Sequence, residues 1–155
     1  MLLSFLPIFV IYWKTYRVII GYMIFFGTRA MVQKVYFVPR IDGFIFEHPG
    51  FHSITVPYHD TNDFFYSGHV GTCFLLFNEF RSCKWYKMSF FCLFVLLNEW
   101  TMMLLIRNHY LIDMITGVIL AQYAHWQAER ISFLVDCKFL GVPFHKRYSN
   151  FFQPC

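Results

Sequence analysis

Two histidines and one aspartate stand in this chain at a spacing suited to acid–base and nucleophilic work on a phosphodiester. His69 closes the run Tyr66-Ser67-Gly68-His69, and His109 opens the run His109-Tyr110-Leu111-Ile112-Asp113, 40 residues further on. Cleaving a phosphodiester without a metal needs a nucleophile, a proton donor for the departing alkoxide, and positive charge around the phosphoryl oxygens. Two imidazoles and a carboxylate supply the first two. His109 and Asp113 are four residues apart, which on a helix puts both side chains on one face. A carboxylate there fixes the imidazole tautomer and leaves the other ring nitrogen to react. Asp113 also lies about one turn inside an apolar run, where an ionisable group is a functional candidate by default.

The stretches Asn62-Asp63-Phe64-Phe65-Tyr66-Ser67-Gly68-His69-Val70-Gly71-Thr72 and His109-Tyr110-Leu111-Ile112-Asp113 resemble the sphingomyelin synthase branch of the phosphatidic acid phosphatase type 2 superfamily. They are also similar to the plant-type phosphatidylcholine:diacylglycerol cholinephosphotransferases. The resemblance covers roughly residues 58–128. It implies that His109 is the nucleophile forming a phosphohistidine, that Asp113 orients it, and that His69 protonates the leaving oxygen and later acts as base on an acceptor hydroxyl. The superfamily's phosphatases carry a Lys followed seven residues later by Arg-Pro, and an Arg six residues before the nucleophilic histidine. Here Lys34 and Arg40 are six apart with Ile41 following, and Met103 stands six before His109. The phosphatase cradle is thus not reproduced, the transferase branch fits better, and the source of the phosphate-binding charge is left open.

Around this triad, Ser67, Gly68 and Arg107 are candidate substrate-binding residues. Gly68 would let backbone N–H groups approach a phosphate. Ser67 is read as the cap of the following helix rather than as a nucleophile. Arg107 either holds a phosphate oxygen or simply ends an apolar helix. The other histidines, His48, His52, His59, His125 and His145, are read as interfacial anchors or caps. Glu79 is expected at a membrane boundary, and Glu99, beside Asn98, as a hydrogen-bonding group between helices.

The elements that must position these residues follow from composition. The 155 residues are 57% hydrophobic with 21 phenylalanines, and the mean hydropathy is +0.45. That is more apolar surface than one soluble core of this length hides, so the sequence reads as an integral membrane protein. Charged residues are 14% of the chain and cluster between apolar runs. The net charge of +4 therefore reports topology and anionic headgroups rather than nucleic acid. Cys73, Cys83, Cys92, Cys137 and Cys155 show no paired spacing, which argues against a disulfide framework or a zinc site. No metal and no cofactor is expected.

Against the roughly 20 residues needed to cross a bilayer, the clearest span is Met88 to Ile106. Others run from about Phe64 to Phe80, from Tyr110 to about Ala128, from Leu2 to Trp13, and from Val18 to about Phe37, the last interrupted by Arg29 and Lys34. The expected architecture is an all-α, polytopic bundle of about four to five membrane-spanning helices, of the phosphatidic acid phosphatase type 2 kind. Residues 1–38 hold the N-terminal helices, which read as the start of a truncated chain; 39–128 form the catalytic region, and 129–155 a cytosolic tail. Pro39, Gly43, Pro49, Gly50 and Pro57 mark 39–63 as a loop outside the membrane. Arg81, Lys84 and Lys87 place the 81–87 turn in the cytosol, so His69, His109 and Asp113 face the lumen or exterior of the endoplasmic reticulum, Golgi or plasma membrane. The expectation is a lipid headgroup transferase moving phosphocholine, or a related phosphoryl headgroup, to diacylglycerol or ceramide. A lipid phosphate phosphatase and a non-enzymatic lipid-binding or lipid-transport protein are the alternatives.

Overall fold

Proline-free apolar runs become helices here, and glycine and alanine decide how closely those helices approach. The computed structural model describes residues 15–36, 65–107, 109–141 and 143. They form α1 (Arg17–Val35), α2 (Gly68–Ser82), α3 (Tyr86–Leu105) and α4 (Leu111–Phe133), followed by a π-helical turn, Leu134–Phe139. No strand occurs among the described residues. The expected span Leu2 to Trp13 and the loop 39–63 lie outside them.

Two of the four helices, α1 and α3, are long and apolar enough to cross a membrane. The expected span Met88 to Ile106 is α3 within two residues. Arg29 and Lys34 do not interrupt α1: Arg29 is half-buried against the bundle, and Lys34 is exposed in the last turn. At 15 residues, α2 rises only about 22 Å at 1.5 Å per residue.

The sequence of α4 explains the packing. Gly117, Ala121, Ala124 and Ala128 recur every three or four residues and are all buried, a stripe of small side chains along which neighbouring backbones close in. Phe25 of α1 and Leu75 of α2 pack there with Tyr66, Ala121 and Ala124. Val70, Met103 and Met114 form a second cluster joining α2, α3 and α4. Opposite Ala128 sits Gly21 of α1, whose missing Cβ would stand 3.5 Å from the alanine methyl.

A three-residue link, Cys83-Lys84-Trp85, joins α2 to α3 through a Schellman motif. Lys84 takes the left-handed conformation, φ 60°, its N–H donates to Arg81 O at 3.0 Å, and Trp85 N–H donates to Phe80 O at 2.8 Å. The apolar contact that accompanies such a cap is the stacked pair Phe80–Trp85, ring centroids 6.0 Å apart.

At the same end as this turn lies a buried charge network that the sequence reading did not anticipate. Arg17 is 1% exposed; its Nε donates to Glu79 Oε2 at 2.7 Å and its Nη2 to Glu79 Oε1 at 2.6 Å, a bidentate pair. Its Nη1 donates to Glu129 Oε2 at 2.8 Å. Beside it, Thr15 Oγ1 donates to Asp136 Oδ2 at 2.6 Å, and Tyr16 N–H donates to Asp136 Oδ1 at 3.2 Å. Helix α1 is thereby tied to α2, to α4 and to the π-helical turn.

Candidate active site

The opposite end of the bundle gathers two helix beginnings. Ser67 caps α2, its Oγ accepting from Val70 N–H at a long 3.5 Å, and its own N–H donates to Asp113 O at 3.2 Å, in the first turn of α4. One turn further along α4 sits Gly117. A Cβ there would stand 2.8 Å from Ser67 O, so the absent side chain is what lets the start of α2 rest on α4. The positive ends of two helix macrodipoles therefore meet at one place, the arrangement that favours bound anions.

His69 lies in the first turn of α2 and is exposed, Asp113 lies in the first turn of α4, and His109 precedes α4 by two residues. Asp113 is 0% exposed and His109 8%. Asp113 Oδ2 is 3.8 Å from His109 Nδ1, within ion-pair reach and beyond hydrogen-bond range. The same oxygen accepts from Tyr110 N–H at 3.0 Å, so the carboxylate caps α4 while facing the imidazole. Its Oδ1 is buried with no hydrogen-bond partner among the described residues, where a buried lone pair is costly unless something satisfies it.

Ser67 and Gly68 are both buried. The Ser67 hydroxyl is also 3.5 Å from Met103 Sδ, as donor, so helix capping and packing account for it. Arg107 is exposed, two residues before His109, at the position following the α3 cap; its φ is 53° and its N–H donates to Leu104 O at 3.2 Å. Glu79 belongs to the Arg17 network at the other end. Glu99 is half-buried on α3. His125 is 3.5 Å from Ser82 Oγ, also toward the far end. His48, His52, His59 and His145 lie outside the described residues.

Arg29 was not among the site candidates, yet the structure puts it here. Its Nε donates to Tyr66 O at 3.0 Å, and a Cβ on Gly68 would meet its Nη1 at 3.2 Å and Cζ at 3.3 Å. The guanidinium thus lies across Gly68, the residue before His69. Neighbouring contacts hold α1 in this register. Tyr66 Oη donates to Phe25 O at 2.8 Å and is 2.9 Å from Thr28 Oγ1, while Phe25 covers Gly71 so closely that a Cβ there would stand 2.0 Å from its ring. The signal was legible: a cation inside an apolar helix merits the same attention as Asp113.

The Gly117 contact yields an expected outcome. Gly117→Ala forces a methyl against a backbone carbonyl that the Ser67–Asp113 bond holds in place, and should cost about 1–3 kcal/mol, the usual penalty for overpacking. Gly27→Ala, which meets nothing within 4 Å, should be neutral or slightly stabilising. Thermal unfolding of the two purified variants in one detergent checks the difference; equal midpoints would contradict it.

Among known families, the model described as AtPDCT1/2, phosphatidylcholine:diacylglycerol cholinephosphotransferase, matches residues 3–130. That range takes in both histidine motifs and nearly all of the four helices. No curated protein and no solved structure matches.

Proposed function

The chain belongs to the AtPDCT1/2 family, the phosphatidylcholine:diacylglycerol cholinephosphotransferases, and from that premise we propose that it exchanges phosphocholine between phosphatidylcholine and diacylglycerol through a phosphohistidine at His109. The observation that carries the mechanism is the buried His109 whose Nδ1 lies 3.8 Å from the carboxylate of the buried Asp113, where two helix N-termini meet.

In the first half-reaction His109 Nε2 attacks phosphorus, the bond from phosphorus to the glycerol oxygen breaks, and His69 gives that oxygen its proton, releasing diacylglycerol. Phosphocholine remains on His109. The imidazole loses its Nδ1 proton in neither half-reaction, and Asp113 stabilises the positive charge that the ring acquires. In the second half-reaction His69 takes the proton of an incoming diacylglycerol hydroxyl, the oxygen attacks phosphorus, and the bond to Nε2 breaks. Atoms and charge balance without any cofactor. Ceramide, also a lipid with a primary hydroxyl, is a second acceptor this chemistry would serve.

The setting we propose is a multi-pass bundle of the phosphatidic acid phosphatase type 2 kind, with α2 and α4 crossing beside α1 and α3. The triad then faces the lumen or exterior, at headgroup depth. Apolar surface supports this: Phe90, Phe94, Leu105 and Ile119 are all strongly exposed on the helices, as side chains facing lipid would be.

Product identity tests the reading. Purified protein given labelled diacylglycerol and unlabelled phosphatidylcholine is expected to make labelled phosphatidylcholine, without a nucleotide. Release of phosphocholine or free phosphate in place of that product would instead support hydrolysis, and lipid movement with no chemical change would support transport.

A further inference from the structure

We propose that the end of the bundle opposite to the triad is a binding surface for anionic phospholipids, with the turn between α2 and α3 at its centre. Such a surface requires the bundle to lie in a membrane and is independent of the transfer chemistry. The pairs that Arg17 makes with Glu79 and Glu129 bring the start of α1 level with the ends of α2 and α4. At this level stand Arg81 and Arg130, in the last turns of α2 and α4, Lys84 in the turn, Lys87 at the start of α3, and Lys138 in the π-helical turn. All five are exposed. The carboxylates here have other work: Glu79 and Glu129 hold Arg17, and Asp136 accepts from Thr15 and Tyr16. Among the described residues none of the five cations has an ion pair. The neighbouring sequence does not redress the balance, since residues 1–14 and 142–155 contain no Asp or Glu and add Lys14, Lys146 and Arg147. The acids at this end are bound up in tying α1 to its neighbours, and the cations are left at the surface as a field of one sign.

Lys84 supplies a second, independent observation. It occupies the left-handed position of the Schellman motif, φ 60°, which glycine usually fills. A side chain there brings Cβ against the following carbonyl oxygen, so the local fold would be better served by glycine, and a strained residue of this kind points to a task for its side chain. That side chain is an ammonium at the tip of the turn, between Arg81 and Lys87. The partner's class follows from the rings around it. Tyr86 is 61% exposed beside Lys84 and Lys87, and Trp126, one turn before Arg130, is 62% exposed. Exposed Tyr and Trp settle at the headgroup level of a bilayer, where basic side chains attract anionic headgroups.

The test reconstitutes the full chain in phosphatidylcholine vesicles and measures tryptophan quenching by brominated phosphatidylserine against brominated phosphatidylcholine; Trp85 lies within the turn itself. The ratio of the two association constants is expected to favour phosphatidylserine by at least about fivefold, the contribution of one cation near the surface, and to shrink as ionic strength rises. Exchanging Arg81, Lys84 and Lys87 together for Gln should bring the ratio within about twofold of unity. Lys84→Gly should lower the ratio by up to about fivefold while raising the thermal unfolding midpoint, because it removes the charge and relieves the backbone. These opposite signs separate lipid binding from a structural role, and Lys84→Gly carries the test if the triple variant fails to fold. A wild-type ratio near unity, a ratio unmoved in both variants, or a Lys84→Gly protein that is less stable than the wild type overturns the proposal. So does inorganic phosphate that abolishes the preference when chloride at equal ionic strength does not, which would mark a site for a small free anion.

Discussion

Replacing His109 by alanine is expected to lower phosphocholine exchange by at least about a thousandfold with the protein still folded, because in the proposed scheme the covalent step loses its nucleophile and, among the described residues, no second imidazole stands beside Asp113. The surroundings allow a clean reading. His109 precedes α4 rather than lying within it, so its removal leaves the helix and its Ser67–Asp113 contact intact. Asp113→Asn separates the two tasks of the carboxylate. The asparagine amide oxygen can still accept from Tyr110 N–H, while the charge facing the imidazole is lost; exchange should fall by about a hundredfold or more with little change in stability. An alkali-stable label on the wild type, absent from His109→Ala, is the companion measurement. A His109→Ala variant with more than a tenth of wild-type exchange would end the phosphohistidine scheme.

The largest effect on stability should come from the other end of the bundle. Arg17→Met leaves the Glu79 carboxylate buried without its cation, and breaking one side of such a pair costs about 3–5 kcal/mol. Glu129 suffers less, because its side chain is 33% exposed and water can solvate it. Hence Arg17→Met combined with Glu79→Leu should regain most of the loss, since no buried charge is then stranded. Thermal unfolding of the single and double variants in one detergent decides this. A single variant as stable as the wild type, or a double variant no better than the single, would contradict the argument. The effect on exchange should follow stability alone, as Arg17 and the triad lie at opposite ends of the bundle.

How much of this was legible in the sequence depended on how local the signal was. The apolar run of α3 is a property of one helix and was readable directly, whereas His109 and Asp113 come within 3.8 Å although His109 precedes α4 and does not share its helical face as the spacing suggested. The Ser67 cap was readable too, because it acts on the residue three positions on. By contrast, the pairing of Arg17 with Glu79 joins residues 62 positions apart, and neither residue declares its partner. Glu79 consequently read as a boundary carboxylate. Arg29 was seen but taken as an interruption of a span, because nothing local says which way a helix turns its faces before its neighbours are known. Gly117 gave no signal at all. Its meaning lies in the carbonyl of Ser67, 50 positions earlier.

Helix α1 is fastened at two heights: Arg17 at one end, and Phe25, Thr28 and Arg29 near the other. Twelve residues separate the two arginines, about 18 Å of rise. Screw-like slippage by a single residue would swivel the rod about 100°, tearing both fastenings at once. Among the described residues α3 leans chiefly on α2, where Ser89 Oγ donates to Phe77 O at 3.2 Å, and it carries no buried ion pair like that of Arg17, so it is the helix freest to shift.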